Sequence, residues 1–203
     1  MTVHLPSHAV LNLTALDQWA TPEDRPFVLL GAILPDLPVL AFYFICRFFF
    51  GFSDDKIWKD LYYRDRWFNL FATFHSIPVT AGLCLLGVGL GVNWLALLGA
   101  SMLLHNIVDL PIHANDAHRH FFPITNYRFK SPISYWNPRF WGRIVAAAEL
   151  VLLMVCSFYL FPMLVTWWAK AVVVVANLIF VVCYGAFYLA GYGKELFQSM
   201  APD

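Results

Sequence analysis

The sequence predicts an all-α, polytopic helical membrane protein that forms a single domain over residues 1–203. Hydrophobic residues make up 60% of the chain and charged residues 13%, against about 45–50% and about 25% in soluble domains. The apolar residues form about five runs, each long enough to cross a ~30 Å hydrocarbon core as a helix. Membrane lipid is therefore the predicted partner. The equal numbers of basic and acidic residues, 13 of each, give no reason to expect nucleic acid.

The first elements are an N-terminal helix and an interrupted span. Within residues 1–26 apolar residues recur at helical spacing, which predicts a short amphipathic helix with Ser7 as its N-cap. Residues 27–52 form a first apolar run in which Asp36 lies between two prolines. Prolines free backbone groups in a membrane helix, so this run is expected to break where protein or a wet cavity surrounds it.

Two further spans, residues 68–90 and 93–112, are joined by a very short turn and must run antiparallel. His75 is expected about two turns inside the start of one continuous helix, and His105 near the end of the next. The two imidazoles then lie on the same side of the membrane. The preceding loop, residues 54–67, mixes charged and aromatic side chains and suits the membrane interface.

The C-terminal part contributes a long loop and two more spans. Residues 113–143 are polar and aromatic and are expected to lie along the interface. The runs 144–168 and 171–191 contain no His or Asp, and Glu149 is their only acid. Most Lys and Arg residues fall on the face that carries the long loop, and the positive-inside rule puts that face in the cytoplasm. We expect no removable signal peptide, because the N-terminus lacks a basic leader and an apolar core.

Five polar residues within apolar segments are all of types that bind metal ions. A carboxylate in lipid costs several kcal/mol and needs a partner, and imidazoles with carboxylates are ligands of Zn²⁺ and similar cations. Taken singly, each group has another interpretation, a hydrogen bond between helices or a helix cap. Taken together they predict a divalent-metal site, with Zn²⁺ as the expected ion. We call this set the helix cluster: His8, Asp36, His75, His105 and Asp109.

A second set of similar residues, here called the loop cluster, follows directly: His113, Asp116, His118 and His120. If the helix continued beyond Pro111, His113, Asp116 and His120 would share one face, while His118 and Arg119 would point away. A solvated polar surface is an equally weighted interpretation. Nearby basic residues are candidates for holding an anionic headgroup or phosphate: Arg119, Arg128 and Lys130.

Ordered motifs along residues 7–130 resemble the bacterial membrane-bound metal-dependent hydrolases, a family named for a distant likeness to zinc-dependent phospholipase C. The resemblance implies that the helix cluster holds the metal and that the protein lies in a bacterial inner membrane. The helices within 144–191 lie outside it. The family's His-Arg-Gly element is replaced here by FNLFA before Thr73. The motifs are SHAV at 7–10, GAILPDLP at 31–38, TFHS at 73–76, LLHNIVDLP at 103–111 and HFFPITNYRF at 120–129.

The predicted function is hydrolysis of an ester or phosphoester of a lipid or other amphiphile. The cation activates water, and Asp36 or Asp109, whichever is not a direct ligand, serves as the general base. No GxSxG turn supports a serine nucleophile instead. The main alternative is a non-catalytic membrane subunit or assembly factor that keeps the fold and the polar residues. A transporter with a broken helix and a haem protein with two axial histidines are lesser alternatives.

Overall fold

The computed structural model describes residues 4–135 and 137–189, and within these ranges the secondary structure is helical, without β-strands. Three helices are long and apolar enough to cross a membrane, or five if each of two bent helix pairs counts as one span. The predicted helical class is therefore confirmed. The α-helices are α1 His4–Leu16, α2 Arg25–Ile33, α3 Leu37–Phe44, α4 Asp54–Lys59, α5 Asp65–Phe74, α6 Ile77–Leu90, α7 Asn93–Asp109, α8 Gly142–Leu160 and α9 Trp167–Tyr184.

Helix α1 packs inside the bundle through polar as well as apolar residues. It begins at His4, so the prediction that Ser7 caps its N-terminus is wrong. Ser7 is buried and donates a hydrogen bond to Glu149 of α8. Asn12, which lies off the apolar stripe of this helix, is also buried and donates to the Ser101 carbonyl and hydroxyl oxygens at 2.8 and 2.9 Å. The expected polar face of this amphipathic helix therefore contacts protein, because its polar groups find partners on α7 and α8.

Two predicted spans are bent pairs of shorter helices. The pair α2 and α3 meets at 54° around Asp36, as the flanking prolines predicted. The pair α5 and α6 meets at 44° beyond His75, so the expected continuous helix over 68–90 is wrong. Ser76 adopts an extended backbone there, and its hydroxyl accepts a hydrogen bond from the Val79 amide at 3.1 Å. Because Ser76 caps a new helix and a proline follows within its first turn, the backbone turns at this point.

Glycines let α7 approach its neighbours at backbone distance. A Cβ atom on Gly31 of α2 would lie 2.5 Å from the Leu98 carbonyl oxygen. On the other side, Gly87 and Gly99 give the antiparallel pair α6 and α7 the same closeness, and Gly91 makes the predicted turn with φ of 68°. Small residues are the usual means of close helix packing in membranes. Helix α7 is thus held between α2 and α6.

The last two helices form a plainer apolar pair. The candidate spans cover Gly142–Met163 and Ala169–Leu189, close to the predicted 144–168 and 171–191, although the last predicted residues lie outside the described ranges. Asn177 of α9 donates to the Ser157 hydroxyl of α8 at 2.7 Å. Most other side chains on these helices are apolar and many are exposed, as expected for a surface that faces lipid or protein.

The described part of the segment between Ile112 and Gly142 contains no α-helix, as expected for a loop, so His113, Asp116 and His120 do not share the face of a continued helix. Backbone hydrogen bonds fold the segment back onto the bundle: the Tyr135 amide donates to the Ile112 carbonyl at 2.9 Å, and the Ile77 amide donates to the His120 carbonyl at 2.8 Å. The loop cluster therefore rests on the start of α6.

Candidate metal centre

The five side chains of the helix cluster come from four separate places in the fold and meet at one point. His8 lies on α1, Asp36 and His75 lie at the two helix breaks, and His105 with Asp109 lie on α7. The three histidines and Asp109 are buried, whereas the side chain of Asp36 is 25% exposed. The grouping that the sequence predicted is present, and Asp36 is its most accessible member.

Two carboxylates face three imidazoles at this point. The Asp109 carboxylate lies 3.0 Å from His8 Nε2 through Oδ1 and 3.2 Å from His105 Nε2 through Oδ2. Asp36 Oδ1 lies 3.4 Å from His75 Nε2 and 3.9 Å from His105 Nε2. His105 therefore stands between the two carboxylates.

Hydrogen bonds at the other ring nitrogens set the tautomers of two histidines. The Nδ1 atoms of His75 and His105 donate to the carbonyls of Phe71 at 3.0 Å and Ala32 at 2.8 Å. A carbonyl only accepts, so each Nδ1 carries the proton and each neutral ring directs its Nε2 lone pair at a carboxylate. Neither Nε2 atom makes a hydrogen bond within the described part of the chain. Such an arrangement needs an added proton or a cation.

The helix break supplies one of those carbonyls. In a continuous helix the Ala32 carbonyl would accept from the amide four residues later. At the break the Asp36 amide instead donates to Ile33, at 3.1 Å, which leaves the Ala32 carbonyl available to His105. The same prolines that interrupt the span thereby orient a residue on the neighbouring helix.

The spacing of the cluster suits a metal ion. Two ligand atoms of a tetrahedral Zn²⁺ lie about 3.3 Å apart, whereas a charge-assisted N–H···O bond spans about 2.7–2.9 Å. Two triads place one ligand atom per residue within 4.8 Å of one another, His8 with His105 and Asp109, and Asp36 with His75 and His105. These buried groups can therefore hold a metal ion. The single Nε2 lone pair of His105 belongs to both triads and can bind only one cation.

The loop cluster is buried beside the helix cluster. His113, His118 and His120 are buried, so the interpretation of the loop as a solvated polar surface is wrong. His118 does not point away, because its ring stacks on His75 with centroids 3.7 Å apart. The Nδ1 atom of His113 lies 2.8 Å from Asp116 Oδ2, and its Nε2 lies 3.7 Å from Asp109 Oδ2. The two clusters thus form one continuous polar region.

The imidazoles of the loop cluster differ in charge. Burial lowers the pKa of His113, but Asp116 and Asp109 raise it by more, so the net pKa lies well above the ordinary value. For His118, burial and the neighbouring His75 lower the pKa well below that value. The same causes lower the pKa of His120 to about 4. Within this cluster His113 is paired with carboxylates, while His118 and His120 stay neutral.

The three basic candidates occupy different positions. Arg119 is buried, lies 4.1 Å from the ring centre of Phe68 and donates to the Asn126 side chain at 2.7 Å. Arg128 donates to two loop carbonyls, those of Ala117 and Asn115, each at 2.7 Å. Lys130 is exposed. Both arginines therefore help to shape the loop, and anion binding by the three residues remains a prediction.

The sequence did not predict the groups that contact the imidazole rings of the two clusters. These are the Ala32 and Phe71 carbonyls and Tyr62, whose hydroxyl lies 3.5 Å from His118 Nδ1. The prolines around Asp36 signalled a free carbonyl in general, but nothing in the sequence indicated its partner. Tyr62 carried no signal, because aromatic residues are common in interfacial loops.

Comparison with known proteins adds no relative: no family model, no curated protein and no solved structure matches this chain. The family resemblance stays a prediction. The interpretation of the centre therefore depends on its own geometry.

Proposed function

We propose that the chain is a metal-dependent hydrolase of the bacterial inner membrane, with a divalent cation held by the helix cluster. The observation that supports this most directly is the pair of buried Nε2 atoms, on His75 and His105, that face carboxylates while their Nδ1 protons are engaged elsewhere. A mixed set of imidazole and carboxylate ligands favours Zn²⁺.

The solvent exposure of each side chain suggests its role. When bound, the cation would supply Lewis-acid chemistry, polarising the ester or phosphoester and lowering the pKa of water to about 7. His8, His105 and Asp109 form the buried side that binds it. Asp36, with a side chain 25% exposed, lies on the accessible side and acts as the general base that takes a proton from the attacking water.

An ester or phosphoester of a lipid or amphiphile is the proposed substrate. The cluster lies near the end of α7 that leads into the long loop, among helices apolar enough to cross a membrane. This face carries most of the basic residues, so we propose that it is cytoplasmic and attracts anionic headgroups. Those residues are Arg47, Lys56, Lys59, Arg64, Arg66, Arg119, Arg128, Lys130, Arg139 and Arg143, and the sequence predicts the same side for Lys194, which lies outside the described residues.

The His-Arg-Gly element of the resembled family, which is replaced by FNLFA in this chain, raises the question of what supplies its positive charge. The five residues before Thr73, FNLFA, begin with Phe68, and the guanidinium groups of Arg119 and Arg128 lie 4.1 and 5.6 Å from the centre of that ring. We propose that these loop arginines supply the positive charge that the family element would have supplied. This favours retained catalysis over a fold kept for structure alone.

Metal content tests the proposal. Detergent-purified wild type is expected to hold a stoichiometric divalent cation, whereas His105→Ala and Asp109→Ala lose most of it. The matched control is Asn177→Ala, which removes a hydrogen bond between α8 and α9 and should keep the metal. A wild type without bound metal would refute the hydrolase. If metal binds but phospholipids and phosphomonoesters remain intact, the non-catalytic membrane subunit becomes the better description.

A further inference from the structure

We infer that the loop contributes a further ligand to the metal centre, His113, whose imidazole is aligned by Asp116. This inference rests on the proposed function, because it requires a cation in the helix cluster. It extends the site from the helices to the loop and gives Asp116 a defined role.

The orientation of His113 carries the inference. Its Nδ1 lies 2.8 Å from Asp116 Oδ2, within hydrogen-bond distance, so the carboxylate fixes the proton on that nitrogen. The opposite nitrogen, Nε2, lies 3.7 Å from Asp109 Oδ2. The same oxygen lies 3.2 Å from His105 Nε2. Both imidazoles therefore direct the same ring nitrogen at one carboxylate of the proposed centre.

This arrangement is a known way to prepare a histidine for metal binding. Metal-ligating histidines usually donate their second ring N–H to a carboxylate or carbonyl, which fixes the tautomer and strengthens the ligand. In the helix cluster the carbonyls of Ala32 and Phe71 do this. For His113 the outer partner is Asp116, whose side chain is 37% exposed while that of His113 is 10% exposed. The imidazole lies inward and the carboxylate outward.

The end of α7 explains why His113 points back toward the helix. A short turn, Leu110–Ile112, follows Asp109, and His113 then has an extended backbone. The His113 carbonyl accepts a hydrogen bond from the Ser131 amide at 2.9 Å. This bond fixes the part of the loop backbone that carries the His113 imidazole. His113 is thus held by the loop, and it can be perturbed without changing a helix.

A different interpretation uses the same contacts without a metal ion. His113 could be a cationic imidazolium that bridges Asp109 and Asp116 and only fastens the loop. Loss of His113 would then loosen the loop without altering the coordination of a bound ion. The two interpretations differ in the spectrum of the metal as well as in its affinity.

The experiment compares Zn²⁺ affinity and the visible d–d spectrum of Co²⁺-loaded protein among full-length variants. We expect Asp116→Asn to weaken Zn²⁺ binding by about 10–100-fold, and His113→Ala to weaken it at least as much and to change the Co²⁺ spectrum. Asn115→Ala, an exposed neighbour in the same loop, is the matched control and should resemble wild type. Asp116→Asn is also expected to fold normally, because the amide oxygen can still accept a hydrogen bond from the His113 N–H. A loss of Zn²⁺ affinity in this variant would therefore not result from a misfolded loop.

The outcomes separate this inference from the proposed function. If wild type binds Zn²⁺ and His113→Ala binds it with unchanged affinity and an unchanged Co²⁺ spectrum, His113 only anchors the loop and the inference is wrong. If wild type binds neither ion, the proposed function fails and the inference fails with it. A reduced affinity together with an altered spectrum supports His113 as a ligand.

Discussion

The helix cluster and the loop cluster have the same chemistry but are positioned differently. Helices that pack through glycines hold the first set, His8, Asp36, His75, His105 and Asp109. Turns and backbone hydrogen bonds hold the second, from His113 to His120. Both are buried apart from their outer carboxylates, Asp36 and Asp116. A buried polar residue in an apolar helix can therefore be recognised from the sequence alone. In a polar loop it cannot, because buried and exposed polar residues look the same in the sequence.

Asp109→Asn should have the largest effect, because Asp109 is where the two clusters meet. Its carboxylate lies 3.0 Å from His8, 3.2 Å from His105 and 3.7 Å from His113. An amide keeps the shape but removes the charge that three imidazoles share. We expect Zn²⁺ affinity to fall by more than about 100-fold, beyond the range for outer-sphere partners, in a chelator competition assay.

The control for that variant is Asp60→Asn, which breaks an exposed ion pair with Arg64. It should leave Zn²⁺ affinity unchanged, since exposed pairs contribute little. If Asp109→Asn binds Zn²⁺ like the control, the two clusters are not joined through Asp109 and the comparison fails.

Gly31→Ala tests whether helix packing positions the helix cluster. The added methyl group would lie 2.5 Å from the Leu98 carbonyl oxygen and 2.7 Å from Ser101 Cβ, so α2 must move away from α7. We expect a loss of about 3 kcal/mol in unfolding free energy, the upper end for overpacking. Zn²⁺ affinity should fall with it, because the Ala32 carbonyl that orients His105 moves away with α2.

Gly82→Ala is the matched substitution, since a Cβ there meets nothing within 4 Å. Alanine favours helix over glycine, so thermal unfolding in detergent should be unchanged or slightly higher. Equal melting temperatures and Zn²⁺ affinities for the two glycine variants would show that the close approach of α2 and α7 is unimportant.

The pH dependence of stability tests the loop cluster. His120 has its pKa lowered from 6.5 to about 4 by burial and by His75 and His113. Between these pH values the unfolded chain binds the proton more strongly, so the folded state loses stability as the pH falls below about 6.5. At pH 5 this loss is about 2 kcal/mol.

His120→Gln removes that titration and should reduce the drop in melting temperature between pH 7.5 and pH 5. Wild type measured under the same conditions is the reference. An identical drop in both proteins would mean that His120 is protonated in the folded state, contrary to its buried position in the loop cluster.

Ser76→Ala should have the smallest of these effects. The Ser76 hydroxyl caps α6 and donates to the Phe122 carbonyl of the loop, so it links the helix break to the loop. Losing an N-cap costs about 1 kcal/mol, measurable as a lower melting temperature. Thr at this position preserves the cap and should recover most of the loss, whereas an unaffected alanine variant would argue against a stabilising link.

Sequence could predict the helical class, the break at Asp36 and the membership of the helix cluster. The break follows from prolines, which lack an amide proton for the helix hydrogen bonds. The cluster follows from the free-energy cost of placing charged groups in an apolar run. Ser76 and the proline after Ile77 are also local signals of the break at His75, although the length of the apolar run predicts one continuous helix. The burial of Asn12 and His118 was not predictable, because it depends on partners distant in the chain, Ser101 and His75.

Helix α1 has a consequence for the order in which the protein is made. Two of its neighbouring residues contact two different helices, His8 the Asp109 carboxylate at the end of α7 and Ser7 the Glu149 side chain of α8. Glu149 follows α1 and the whole loop in the chain, so α1 has both partners only when α8 has been translated. Chains that end before α8 therefore leave α1 without its Glu149 contact.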